Sequence, residues 1–149
     1  MKILLASDHA GFELKNKILD YLKSENFDVE DMGAGAIVPD DDYPRIMIPV
    51  AMRVLADEKN TKAIIFGKSG QGEAMVMNRF PGIRAVVYYS NNTEIIKLSR
   101  EHNDANVLSI GAGFLNEEEV KTAVRLWIGT PFSNEARHIR RIEQIDNVQ

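Results

Sequence analysis

The chain of 149 residues contains no cysteine. Disulfides, thiolate metal sites and a catalytic thiol are all excluded by that single absence. No long basic run occurs, and the formal charge is −4, from 18 Lys and Arg against 22 Asp and Glu. Nothing in that balance suggests a nucleic-acid partner or a membrane surface. No apolar stretch approaches the roughly 20 residues that span a bilayer. The opening MKILLAS reads as one Lys and a short strand rather than a secretory apolar region, so a cytoplasmic protein is expected. The longest acidic run, Asp40-Asp41-Asp42, is short and reads as a solvated loop.

Apolar residues make up 44% of the chain and charged residues 27%, which suits one soluble domain over residues 1–149. Ile3-Leu4-Leu5-Ala6 is a short continuous apolar run, as in a strand covered on both faces. It stops at Ser7-Asp8-His9-Ala10-Gly11, after which Phe12, Leu14, Ile18, Tyr21 and Leu22 recur at helical spacing. A second strand is expected around Phe27 and Val29. A polar loop over 36–42 then leads to a helix through Ile46 and Val54, with Pro49 in its first turns. Further strands are expected over 63–66, 84–88 and 107–110, and helices over 71–79, 92–101, 116–129 and 134–145. This alternation predicts an α/β fold, a Rossmann-like three-layer α-β-α sandwich on a parallel sheet of about five strands. Ligands of such folds bind outside the carboxyl ends of the strands. The segments Ser7–Gly11, Gly33–Tyr43, Gly67–Glu73, Ser90–Asn92 and Gly111–Gly113 should share that edge.

The glycine-rich stretch FGKSGQGEAM, residues 66–75, follows an apolar strand and invites three readings. A P-loop needs glycine five positions before Gly67-Lys68-Ser69, and Lys62 stands there. A nucleophile elbow needs G-x-S-x-G, and Gln71 occupies its last position. The third reading is a nest of backbone N–H groups at a helix start, with Gly67, Gly70 and Gly72 allowing close approach of a phosphate or an enediolate oxygen. Spacing alone also permits a plain tight turn. Glu73, in the first turn, either complements the helix dipole or serves as a base beside that oxyanion site.

Only three histidines occur: His9, His102 and His138. His9 follows Asp8 on the ligand edge. His102 closes a helix, at the end facing away from the carboxyl edge of its own sheet, so a functional His102 would serve a neighbouring subunit. Arg137 and Arg141 are four apart and share one helical face. They suit either clamping of a dianion or a solvated face paired with Glu135 and Glu143.

Several stretches together resemble the ribose-5-phosphate isomerase B family, which includes the galactose-6-phosphate isomerase subunits. They are Ser7-Asp8-His9-Ala10-Gly11, Asp42-Tyr43-Pro44, Gly67–Glu73, Asn78 with Pro81-Gly82-Ile83-Arg84-Ala85, Arg100–Asn106, and Arg137-His138-x-x-Arg141. The resemblance implies an isomerase of aldose and ketose phosphates that works through an enediolate, without metal or cofactor. Many members have a Cys base at the position of Gly67; this chain resembles the subgroup in which a Glu takes over, matched by Ser69-Gly70-Gln71-Gly72-Glu73. Carried over, Glu73 is the base, and Ser69 with Gly70, Gln71 and Gly72 stabilises the enediolate. His102 opens the furanose ring, aided by Asp42, while Asp8, Tyr43 and Asn103 orient hydroxyls. His9, Arg137 and Arg141 hold the phosphate, with His138 nearby. The resemblance further implies a homodimer or homotetramer with sites across the interface and the C-terminal helix at that interface. Two departures stand out: Gly113 where members usually carry Arg, and Lys68 where the Glu subgroup has Gly.

Overall fold

The computed structural model describes residues 1–148. Five strands, β1 (Lys2–Ser7), β2 (Asp28–Asp31), β3 (Thr61–Gly67), β4 (Ala85–Tyr88) and β5 (Val107–Gly111), form one sheet in the order β2-β1-β3-β5-β4. Every pairing is parallel. Six helices connect and follow them: α1 (Phe12–Ser24), α2 (Tyr43–Leu55), α3 (Gln71–Met77), α4 (Glu94–Glu101), α5 (Glu117–Gly129) and α6 (Ala136–Asp146).

Strand periodicity distributes the apolar residues between two cores. Ile3, Leu5, Ile64, Phe66, Leu108 and Ile110 pack with Ile18, Leu22, Ile96, Val124 and Trp127 of α1, α4 and α5 on one face. Leu4, Ala6, Ala63, Ile65 and Val107 pack with Met47, Val50, Val54 and Met77 of α2 and α3 on the other. Both faces of the central strands are thereby covered, which is why they read as unbroken apolar runs. The expected three-layer sandwich is what forms.

Helix boundaries move by one or two residues from the periodicity, each for a local reason. Asn116 caps α5, accepting from the Glu119 amide at 3.0 Å while Glu119 accepts from the Asn116 amide at 2.8 Å. α3 stops early because Asn78 turns its side chain to the edge strand, accepting from Ala85 N at 2.8 Å and donating to Ala85 O at 2.9 Å. α6 starts at Ala136 rather than 134, since Asn134 has φ 55° and Glu135 is extended. Pro49 lies deeper in α2 than its first turn, and without an N–H it leaves the Arg45 carbonyl unserved within the helix.

Strand β3 follows a crossover from β2 to the far side of β1, so the chain reverses its direction of winding between β1 and β3. The ends of these two strands, at Ser7 and Gly67, bound the crevice where α/β sheets bind ligands. Helix α6 stands apart from both cores; His138 is its one buried residue.

Candidate active site

At the end of β3 the backbone turns through Gly67–Gly70 into α3. Gly70 is left-handed, φ 74°, and a Cβ there would lie 3.0 Å from Ser109 Oγ. The Ser109 hydroxyl donates to Gly70 O at 2.6 Å, fixing the turn to β5. The neighbouring loop is stitched on by Ala112 N to Gly67 O, 2.8 Å, and Gly113 N to Lys68 O, 2.9 Å. Ser69 Oγ accepts from Gln71 N at 3.3 Å, so the hydroxyl sits at the mouth of the turn. Over Gly72 lies Tyr43, the first residue of α2: a Cβ at 72 would meet its Cζ and phenolic oxygen at 2.7 Å. The glycines are therefore more than turn formers. They let a phenol and a carboxylate come down onto the backbone.

That carboxylate is Glu73, which is 4% exposed. A Cβ built on Gly67 would overlap both of its oxygens. Glu73 thus occupies the space that any side chain at 67 would need, and a cysteine at 67 and this glutamate are sterically exclusive. Burial raises its pKa above the ordinary 4.5, its own backbone N–H opposes this, and the charge of Asp8 adds to the rise. A glutamate so placed is a stronger base when ionised than one in water. Gly67→Ala is expected to destabilise the fold by about 1–3 kcal/mol, the cost of overpacking. In a Glu73→Ala background most of that cost should vanish, a coupling that urea unfolding of the four proteins of a double-mutant cycle measures.

Asp8, 7% exposed, follows β1 and accepts from Ala10 N and Gly11 N at 3.0 and 3.1 Å. His9 Nδ1 lies 2.6 Å from Asp41 Oδ1, and His9 N also donates to that oxygen at 3.2 Å. The bond to Asp41 is the main cause of a raised His9 pKa; partial desolvation opposes it, and Asp8, Asp41 and Asp40 assist by charge. Donor atoms of Asp8, His9 and Asp41 fall within 4.8 Å of one another, a spacing a metal ion could use. Asp41 Oδ1 is instead taken up by the His9 ring and amide, and Asp8 Oδ1 by two backbone amides, which makes this a hydrogen-bonded cluster that holds the His9 ring in place. Asp41 Oδ2 is shielded and has no hydrogen-bond partner among the described residues. Asp41 belongs to the acidic run read as a solvated loop; its neighbour Asp42 fits that reading better, with a side chain 69% exposed and 3.5 Å from Arg45.

The other expected residues gather elsewhere. His102 caps the C-terminus of α4, ahead of β5, and so stands at the amino edge of the sheet with exposed Asn103 beside it. Arg100, 5% exposed, holds this corner through Thr130 O at 3.2 Å, Asp104 Oδ1 at 2.7 Å and Ala105 O at 2.7 Å. His138, 3% exposed, lies against His102 with ring centroids 4.3 Å apart. Exposed Arg137 pairs with Glu135 at 2.8 Å, and Arg141 is exposed on the same helix. Strand β5 separates the two groups, a span of about 16 Å for five residues. One chain therefore brings Asp8, His9, Asp42, Tyr43 and the Gly67–Glu73 loop to one edge, and leaves His102, Asn103, Arg137, His138 and Arg141 at the other.

The family model described as Ribose/Galactose Isomerase matches residues 3–145. Ribose-5-phosphate isomerase B of Mycolicibacterium paratuberculosis is 39% identical over 143 residues, covering 96% of this chain and 88% of that protein. The crystal structure of a ribose 5-phosphate isomerase from Thermotoga maritima superposes with TM-score 0.92 at 36% identity, covering 99% of this chain and 98% of that one. Ribose-5-phosphate isomerase B from Mycoplasma genitalium, solved with bound ribulose-5-phosphate, gives TM-score 0.91 at 32% identity, covering 97% and 93%.

Proposed function

The chain belongs to the ribose/galactose isomerase family, and we propose that it interconverts ribose 5-phosphate and ribulose 5-phosphate with Glu73 as the base. The observation that carries this reading is the buried Glu73 carboxylate seated on Gly67 beside the Ser69–Gly72 turn. With the open-chain aldose in the crevice, Glu73 takes the proton from C2. The electrons of that bond move to the carbonyl oxygen at C1, and the backbone turn with Ser69 faces the negative oxygen that forms. A proton passes between the two sugar oxygens, and Glu73 returns its proton at C1 to give the ketose. Asp8 and Tyr43 border the same space and orient hydroxyls. His9, whose bond to Asp41 favours the protonated form, meets the phosphate.

Ring opening and the rest of the phosphate site come from a second copy of the chain. The partner's His102 acts on the furanose, its Asn103 orients a hydroxyl, and Arg137 and Arg141 of the partner subunit clamp the dianion. The opposite-edge placement of these residues supports a homodimer or a tetramer built from it. So does α6, whose Ile139 and Ile145 are 39% and 53% exposed in one chain. Asp42, on the edge of the Glu73 crevice, comes close to the partner's His102 only in such an assembly.

The same chemistry on a tetrose or hexose phosphate is a second reading, favoured by Gly113. A Cβ there would meet Lys68 O at 3.0 Å and Lys68 Cγ at 3.2 Å, so an exposed lysine stem already lies over the position. Values of kcat/KM across four-, five- and six-carbon phosphates decide between them. Ribose 5-phosphate is expected to lead; if it ranks last, the sugar is wrong. Calorimetric binding with no turnover of any of them would leave only a sugar-phosphate binding module.

His9 gives the phosphate site a pH signature. Its raised pKa keeps the cation present up to higher pH than an ordinary histidine, and the charge is lost as pH rises through that raised value. Asp41→Asn removes the main cause. The KM for ribose 5-phosphate should then rise more at about pH 7.5 than at about pH 6, which lies below the ordinary histidine value.

A further inference from the structure

His102 ends α4 with a backbone already fixed: its N–H donates to Leu98 O at 3.0 Å, and Arg100 grips the following turn through Asp104 and Ala105. Its ring is a separate matter. The ring that packs against it is His138, buried at 3% exposure, 4.3 Å away between centroids and tilted by 43°. His138 is itself held by one side-chain bond, Nδ1 to Ser133 Oγ at 2.9 Å. Ser133 lies in the connector between α5 and α6, and its position is fixed from two directions. Its N–H donates to the carbonyl of Glu101, the residue before His102, at 3.2 Å, and its hydroxyl accepts from Glu135 N at 3.4 Å. Thr130 O, at the start of the connector, receives Arg100 Nε at 3.2 Å. The connector is thus pinned to both residues that precede His102, and from there it reaches back through Ser133 and His138 to the His102 ring.

We infer that Ser133 and His138 form a positioning relay that holds the His102 imidazole in the orientation needed for opening the sugar ring. The inference rests on the reading that His102 performs that step. An exposed connector serine has no evident place in the core, since its side chain contacts a buried imidazole and a helix-start amide. A buried histidine as the one buried residue of α6, whose far end is held by Asp146 to Gly82 N at 3.1 Å, is likewise an expensive way to dock a helix that an apolar residue could dock. Together they do what packing alone does not: they fix a second ring's rotation about its own bonds, and through it the plane of the first. Imidazole orientation matters because a general acid–base must meet a specific oxygen within hydrogen-bond reach.

The two directions of the reaction separate this role from a structural one. Ribose 5-phosphate is cyclic in solution and must be opened, whereas ribulose 5-phosphate is acyclic and can lose a C1 proton to the base without any ring step. Ser133→Ala is expected to lower kcat for ribose 5-phosphate about tenfold with KM nearly unchanged, the effect of misorienting a catalytic group. Exchange of the C1 proton of ribulose 5-phosphate with deuterated solvent should stay within about twofold of wild type, and Ser133→Thr, which keeps the hydroxyl, should restore isomerisation. No loss in isomerisation, or equal losses in both assays, overturns the relay. His102→Gln, measured in the same two assays, tests the premise by itself. If His102→Gln separates the assays and Ser133→Ala does not, the relay fails and ring opening by His102 stands. If His102→Gln does not separate them, the assignment of His102 fails and takes the relay with it.

Discussion

Glu73→Gln lowers kcat for ribose 5-phosphate by about 10³-fold, within the range a positioned general base contributes. That corresponds to about 4 kcal/mol of transition-state stabilisation. The amide keeps the shape of the side chain over Gly67 and removes only the ability to accept a carbon-bound proton, so KM should change little. Exchange of the C2 proton of ribose 5-phosphate with solvent is the direct reading. A variant that exchanges at the wild-type rate would remove Glu73 from the reaction.

The same substitution should stabilise the protein at neutral pH. Burial raises the Glu73 pKa, so the folded state prefers the protonated carboxyl more than the unfolded chain does. The stability this group contributes is complete below its ordinary value of 4.5 and is lost as pH rises through the raised value. Neutral glutamine has no such loss. The thermal midpoint of Glu73→Gln should exceed that of wild type near neutral pH, and the two should converge under acid conditions. Holding a charged base against a glycine backbone is a cost to the fold that only catalysis repays, and that opposition marks a functional group better than either effect alone.

How much of this was readable before folding depended on the distance over which each residue finds its partners. Strand and helix periods are local, so the order of elements and the shared ligand edge followed from Ile3-Leu4-Leu5, Ala63-Ile64-Ile65 and the glycines after them. The absence of cysteine and the presence of Glu73 could be connected through the family resemblance. The steric exclusion that explains the connection requires β3 and α3 folded together. Asp41 escaped notice because its partner His9 is 32 positions away and its two flanking aspartates disguise it. Lys15 escaped for a similar reason: it sits on the inward face of α1, fully buried, and binds Asp31 at 2.7 Å and Ala34 O at 3.2 Å. Pairing lets a lysine take a position that composition alone assigns to an apolar residue. His138 was placed near the phosphate by the resemblance; its burial against His102 depends on a connector whose shape no periodicity encodes.

Two inactive proteins should make an active one. Glu73→Gln leaves His102 and Arg137 intact at the amino edge, and His102→Gln leaves the Glu73 crevice intact at the carboxyl edge. If each site draws one edge from each subunit, a heterodimer of the two variants contains one doubly damaged site and one wild-type site. Random pairing of co-expressed chains makes about half of the dimers heterodimers, so activity should return to about a quarter of wild type. Against parents lowered by about 10²–10⁴-fold, that recovery is large. A site completed within one chain predicts the opposite, because neither subunit of any dimer would then hold both residues. Activity that stays at the average of the parents, with heterodimers verified by mass spectrometry, would place both groups in a single subunit and refute the shared site. Pairing Glu73→Gln with Arg137→Ala extends the logic to the phosphate: recovery of kcat with a near wild-type KM would assign the arginine to the partner, since only the undamaged composite site carries both the base and its clamp.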